Sequence, residues 1–341
     1  MTISACLIVK NEATVLARCL DSIKDLVEEI VIIDTGSTDN TKDIAKKYTD
    51  LIYDFEWIDD FSAARNYAFS KCSMDFIYSA DADEYLDEAN RQEFLALKQC
   101  LIPEVEIIQM HYNTIANNTV LNTKMEYRPK LFKRLRTWTW IDPIHENVRL
   151  KPVVFDSDVI ITHAPVSGHQ KRDFSIFQKA ISDGGKLSDN LLYMYATELL
   201  KTGETNDFAV ALPYFTTVYY EEFKTYNAAI SSAVLCRYFR MLKDVAGIMK
   251  FALEAMNYSP CSEICYDVAR YYFDTEDWVT ALKWSKIAYE ETEPIIDVHT
   301  GGDDALKIII SCLKELELYN NVLEEYQEEL KNWKEPEETF H

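Results

Sequence analysis

Apolar runs alternate here with stretches of helical spacing, and each run ends in polar residues. That pattern constrains the chain more than any other feature. Ile3–Val9, Glu29–Ile33, Leu51–Tyr53 and Phe76–Ala80 read as short strands. Val15, Leu16, Cys19, Leu20 and Ile23 recur at helical spacing within Ala13–Leu26. Further helices are expected over Thr41–Tyr48 and Phe61–Cys72, with Ser37, Thr38 and Asp39 suited to capping the first of these. Such alternation predicts a mostly parallel sheet with right-handed crossovers, whose ligands gather at the carboxyl ends of the strands. Asn11, Asp34 and the acids Asp81, Asp83 and Glu84 all fall at strand ends.

The acids carry the strongest chemical signal. Like charges set this close resist burial unless something neutralises them. Asp81 and Asp83 are separated by Ala82 alone. In an extended strand both carboxylates would leave the sheet on one side. Two such oxygen donors suit a hard divalent cation that keeps positions open for phosphate. The plain alternative is a solvated acidic turn, and convergence of three strand ends on one rim weighs against it.

Glycine is scarce, with 8 in 341 residues and none between Gly36 and Gly168. A P-loop or a GxGxxG turn is therefore absent, and a phosphate must be held by metal, side chains and helix ends. The formal net charge of −22 disfavours nucleic acid and anionic membrane as partners. No apolar run is long enough to span a membrane, and the N-terminus lacks the regions of a signal peptide. The 8 cysteines, with no CxxC pair, read as reduced thiols, so a cytoplasmic setting is expected.

Residues 105–112 and 118–122 read as further strands. Between Lys124 and Arg136 the charge reverses, with Lys124, Arg128, Lys130, Lys133, Arg134 and Arg136 against Glu126. This patch reads equally as an anion-holding surface or as an edge strand blunted by cations. His163 ends an apolar strand just before a turn, where a metal near the rim could recruit it. Beyond about Lys171 the pattern is helical throughout. Ala255 and Ala288, and likewise Pro260 and Pro294, recur at about the 34-residue period of tetratricopeptide hairpins. Tyr193, Tyr195, Tyr214, Tyr219, Tyr220, Tyr271 and Tyr272 read first as solenoid core and second as a concave peptide-binding face. An α/β domain over residues 1–168 and an all-α domain over 169–341 are expected.

Four segments carry a family resemblance: Ile8-Val-Lys-Asn-Glu12, Val31-Ile-Ile-Asp-Thr-Gly-Ser-Thr-Asp39, Asp60-Phe-Ser-Ala-Ala-Arg-Asn66 and Asp81-Ala-Asp83. Their order and spacing resemble the family 2 glycosyltransferases of GT-A fold, in the subgroup with tetratricopeptide-like C-terminal helices. Ile144-His-Glu146 and the His163 strand end extend the resemblance to about residue 168. Bacterial peptide glycosyltransferases that modify bacteriocin cysteines or serines share the layout.

The resemblance implies a nucleotide-sugar donor, UDP-linked, and a divalent Mn²⁺ or Mg²⁺ ion. It implies donor contacts from Val9, Asn11, Glu12, Asp34, Ser37, Arg65, Asp81, Ala82 and Asp83, with Asp34 accepting from the base and Arg65 near the diphosphate or sugar. Asp83 would bind the metal, joined by His163. Many relatives have two acids where this chain has Asp34-Thr35. An inverting transfer also needs a general base, for which Glu146 is the candidate and His145 the second.

The acceptor expected is Ser, Thr or Cys of a peptide or protein, with a cell-surface glycan or lipid-linked acceptor as the alternative. The helical domain is expected to meet the acceptor, and it could also mediate self-association. A sugar-1-phosphate nucleotidyltransferase would want a glycine-rich loop where this chain has Lys10-Asn-Glu-Ala-Thr14. A non-catalytic helical scaffold is the rival of another class, and intact Asp81 and Asp83 argue against it.

Overall fold

The computed structural model describes residues 1–102, 104–114, 125–134, 140–141, 144, 147–148, 153–164, 170–182, 184–317 and 321–334. The expected strand at 118–122 and the base candidates His145 and Glu146 lie outside them.

The first half builds the predicted α/β layers. Strands β1 (Ile3–Val9), β2 (Glu29–Asp34), β3 (Ile52–Asp54) and β4 (Phe76–Ala80) alternate with helices α1 (Leu16–Ile23), α2 (Thr41–Ala45) and α3 (Phe61–Lys71). After these come β5 (Glu84–Tyr85), α4 (Glu88–Cys100), β6 (Ile107–Thr114), β7 (Met125–Lys133), β8 (Trp140–Ile141), β9 (Asn147–Val148) and β10 (Val154–His163). Eight strands form one sheet in the order β3-β2-β1-β4-β7-β6-β10-β5. Pairings β1/β2, β1/β4, β2/β3 and β6/β10 are parallel; β4/β7, β6/β7 and β5/β10 are antiparallel. The sheet is thus mostly parallel, as expected. Strands β8 and β9 form a separate two-stranded ribbon.

Period-2 alternation explains why β1 is apolar on both faces. Ile3, Ala5, Leu7 and Val9 pack with Leu16 and Leu20 of α1 and with Phe94 of α4. Cys6 faces the other way, into a layer with Val31, Ile33, Ala68 and Phe69. Fully burying a side chain such as Phe94 contributes about 1.5–3 kcal/mol.

Two alternatives left open by the sequence are decided. First, β7 is no edge strand, because it lies between β4 and β6. Its register slips there: Ile108 pairs with Leu131 and Gln109 with Pro129, leaving Lys130 as an extra residue. That is a β-bulge beside a proline that has no N–H to give the ladder. Second, Asp81 and Asp83 do not continue β4. The Glu84 amide donates to the Asp81 carbonyl at 3.1 Å, so residues 81–84 form a tight turn.

Among its described residues the second half is built of helices: α5 (Gln170–Ser182), α6 (Asp189–Thr202), α7 (Thr205–Glu221), α8 (Tyr226–Met241), α9 (Val245–Met256), α10 (Ser262–Asp274), α11 (Trp278–Lys286), α12 (Asp303–Glu315) and α13 (Asn321–Asn332). A π-helical turn at Ile287–Glu291 extends α11. Most sequence neighbours pack together, as α7 with α8 and α10 with α11, and α8 also packs on α6 and α10, as stacked helix hairpins do. Tyr193, Tyr195 and Tyr219 are buried, so these three belong to the solenoid core, whereas Tyr220 is exposed. The 8 cysteines are free, and all but Cys100 are buried. The strands with α1–α4, and the helices from α5 onward, form two compact units. Among the described residues no helix is long and apolar enough to cross a membrane.

Candidate active site

The site starts from strand register. Val9 is the parallel partner of Asp34, and Leu7 is the partner of Ala80. The loops after β1, β2 and β4 therefore leave the sheet at one rim.

The first two loops are laced together by their own polar groups. Asn11, at a left-handed φ of 57°, donates its amide to Ser37 Oγ at 2.9 Å. Its Oδ1 accepts the Thr38 amide at 2.8 Å. The Glu12 amide donates to Thr41 Oγ1 and the Ala13 amide to Asp39 Oδ2. Ser37 and Thr38 thus join the loops instead of capping α2. Asp39 does serve that helix start, accepting the Thr41 amide at 3.0 Å. Gly36 adopts φ 100°, which a β-carbon would strain.

Asp34 is fully buried, with Lys42 Nζ at 3.6 Å from its Oδ1. The same Oδ1 accepts the Gly36 and Ser37 amides. Oδ2 is buried without a hydrogen-bond partner. An orphaned acceptor of this kind is costly unless a donor reaches it. Thr35 donates its hydroxyl to the Val9 carbonyl.

The segment Asp60–Asn66 has a distinct task for nearly every polar side chain. Asp60 caps α3 by accepting the Ala63 amide at 3.0 Å, and it also takes the Ser62 hydroxyl. Ala64 is fully buried. Arg65 crosses to β4, giving Nη1 to Ser79 Oγ at 2.7 Å, with Nη2 3.9 Å from Asp81 Oδ1. Asn66 clamps the Trp140 backbone through both its side-chain oxygen and nitrogen.

At the turn after β4 the three acids have separate surroundings. Asp81 is half exposed, with Lys130 Nζ 3.4 Å from Oδ2. Burial works against its charged form, but Lys130 and Arg65 outweigh that and hold the carboxyl well below the usual carboxylate range. Glu84 is buried, with Lys130 Nζ 2.5 Å from Oε1, and its Oε2 accepts the Asp81 amide at 3.1 Å. Burial pushes the Glu84 carboxyl up to about 7 against the opposing pull of Lys130. Asp83 Oδ2 lies 2.9 Å from His163 Nε2, at the end of β10. The His163 ring stacks on Tyr112, and Arg128 and Lys130 also approach that tyrosine ring.

Arg18 of α1 secures the turn from behind, donating to the Asp83 and Ala164 carbonyls, both at 3.0 Å. Arg18 was not legible as a site residue, and Lys130 was legible only as one cation of the 124–136 patch, not as a partner of this turn. No spacing rule links an arginine on the first helix, or a lysine 49 positions further on, to the turn at Asp81.

A divalent cation fits this chemistry. Asp83 Oδ2 and His163 Nε2 are 2.9 Å apart. That is about the separation of two neighbouring octahedral ligands, each roughly 2.1 Å from an ion such as Mg²⁺. Among the described residues no three His, Cys, Asp or Glu side chains form a ready-made cage. Mg²⁺-like sites commonly use one or two carboxylates and leave other positions to phosphate and water.

Residues 4–144 match the family model described as Glycosyl transferase family 2. The chain carries a family 2 glycosyl transferase domain. A TPR repeat-containing protein of Synechococcus elongatus is 48% identical over 84 residues, covering 25% of this chain and 21% of that one. The SPbeta prophage-derived glycosyltransferase SunS of Bacillus subtilis is 31% identical over 162 residues, covering 44% of this chain and 38% of that one. The lipopolysaccharide core biosynthesis glycosyltransferase LpsC of Rhizobium meliloti is 32% identical over 96 residues, covering 27% of this chain and 35% of that one. The matched stretch spans well under half of each of these relatives. Among solved structures, glucosyl-3-phosphoglycerate synthase from Mycobacterium tuberculosis is a distant likeness, with TM-score 0.40 at 15% identity over 55% of this chain and 81% of that one.

Proposed function

We propose that this chain transfers a sugar from a nucleoside diphosphate sugar, UDP-linked, to Ser, Thr or Cys of a peptide or protein. The observation that carries the proposal is the rim after β4. There Asp83 and His163 meet within hydrogen-bond distance, beside an Asp81 held ionised by Lys130 and Arg65. The match of residues 4–144, which include Asp81 and Asp83, to the glycosyl transferase family 2 model supports it. The relative named glycosyltransferase SunS aligns over 44% of this chain.

Asp83 and His163 would hold a Mn²⁺ or Mg²⁺ ion. Bound there, the ion neutralises the charge that grows on the leaving diphosphate. Arg65 offers a guanidinium beside Asp81 for the diphosphate or sugar. Asp34 keeps a buried carboxylate oxygen for the base. Val9, Asn11, Glu12 and Ser37 shape the loop walls, and Ala82 keeps the space between the two aspartates small. A general base on the opposite face of the sugar gives inversion and contributes about 10²–10⁴-fold. Glu146 is assigned that role, with His145 second. A cysteine acceptor would need less help, because a thiol is the stronger nucleophile near neutral pH.

A glycan or lipid-linked acceptor is the second reading, supported by the similarity to the lipopolysaccharide core enzyme LpsC. The test is hydrolysis of a panel of nucleotide sugars with and without Mn²⁺ or Mg²⁺, followed by mass spectrometry of co-expressed peptides. A metal-dependent donor and a hexose or N-acetylhexosamine mass on a peptide are expected. No hydrolysis of any donor with either metal would refute the transferase. Hydrolysis with transfer only to glycan or lipid would favour the second reading.

A further inference from the structure

Three acids crowd the turn after β4, and one buried cation answers two of them. Lys130 is 7% exposed in its side chain, and Glu84 is 1% exposed. The ammonium lies 2.5 Å from Glu84 Oε1 and 3.4 Å from Asp81 Oδ2. Glu84 Oε2 in turn accepts the backbone amide of Asp81. A link closes: ammonium to Glu84, Glu84 to the Asp81 amide, and the Asp81 carboxylate back to the ammonium. Lys130 reaches this point because it is the extra residue of the β7 bulge. Bulges re-aim single side chains in this way.

Neutralising Glu84 alone would not require the second contact. A buried ion pair can often be replaced by neutral groups of similar volume at little cost in stability. The contact with Asp81 has no counterpart in that exchange.

We propose that Lys130 is a positioning residue of the donor site: it holds the 81–84 turn and aims the Asp81 carboxylate toward the nucleotide sugar, without touching the reacting atoms. This rests on the reading of the rim as the donor site. It predicts that charge balance and donor binding separate on mutation.

The test uses the full chain as wild type, Lys130→Met and the double variant Glu84→Gln/Lys130→Met. Melting temperature, UDP affinity with Mn²⁺ by calorimetry, and the crystal structure of the double variant are measured. Lys130→Met strands a buried carboxylate and is expected to melt lowest. The double variant is expected to regain most of the wild-type melting temperature yet bind UDP at least about tenfold more weakly, the loss of one charge-assisted contact. Its Asp81 carboxylate is expected to leave the position seen here. A double variant that binds UDP like wild type, with Asp81 unmoved, would overturn the proposal. If wild type itself takes no UDP, the donor reading fails separately. The crystal structure of the double variant then decides only whether Lys130 holds the 81–84 turn: a displaced Asp81 sustains that hold, and an unmoved one removes it.

Discussion

Asp83 and Asp81 sit two residues apart and yet face different neighbours. Asp83 meets a histidine across the sheet from β10, whereas Asp81 meets Lys130 and Arg65. An acid paired with a histidine can exchange that partner for a cation; an acid paired with ammonium and guanidinium stays charged and oriented. Asp83→Ala is therefore expected to lower metal-dependent donor hydrolysis by about 100-fold or more, given the several kcal/mol that a bound ion supplies. Its melting temperature should change far less than the rate, because the side chain lies at the rim, where it pairs with His163. Steady-state hydrolysis with and without Mn²⁺ checks this, and wild-type rates would remove the metal assignment. Glu146→Gln is expected to reduce transfer by about 10²–10⁴-fold while UDP affinity holds. Collapse of UDP binding in that variant would instead make Glu146 a donor ligand.

At the scale of elements, close approach and capping decide what can change. Gly247 lies in α9, where an added β-carbon would come 2.2 Å from the Phe239 ring of α8. Gly247→Ala should therefore destabilise by about 1–3 kcal/mol despite alanine's better helix propensity. Chemical denaturation of the two proteins measures it, and an unchanged midpoint would show that the ring moves aside freely. Before α12, His299 Nδ1 lies 2.6 Å from Asp303 Oδ1. Burial disfavours its charged form, but Asp303 outweighs this and raises the histidine pKa. A raised pKa means that the folded state holds the proton more tightly. The stabilisation is complete below about 6.5, the unfolded value, and is lost as pH rises through the folded one. The urea midpoint should accordingly fall from pH 6 to pH 8 more in wild type than in His299→Gln. Parallel profiles would exclude the pair as the cause.

At the scale of the whole molecule, the proposed function puts catalysis in the sheet unit and acceptor recognition in the helical unit. A chain ending after about Ala180 is expected to keep metal-dependent donor hydrolysis and to lose most peptide modification, read by mass spectrometry on one co-expressed acceptor. A soluble truncation that still modifies the acceptor at the full rate would take recognition away from the helices.

Strand–helix alternation, the acids at a strand end and the four family segments were enough to predict the mostly parallel sheet and its rim, and to single out Asp34, Arg65, Asp81 and Asp83 as candidates, with His163 added from its own strand end. Periodicity and turn chemistry are local, and they survive in a linear string. The bulge that turns Lys130 inward is not local, since it exists only through the register of β7 against β6. Nor are the Arg18 bonds to Asp83 and Ala164, or the Asn66 clamp on Trp140, which join residues 65, 146 and 74 positions apart. Even the turn at 81–84, for which the sequence left an extended end and an acidic turn both open, answers to such partners. A buried charge takes whatever counter-charge the fold brings within about 4 Å, and chain separation says nothing about which one that will be.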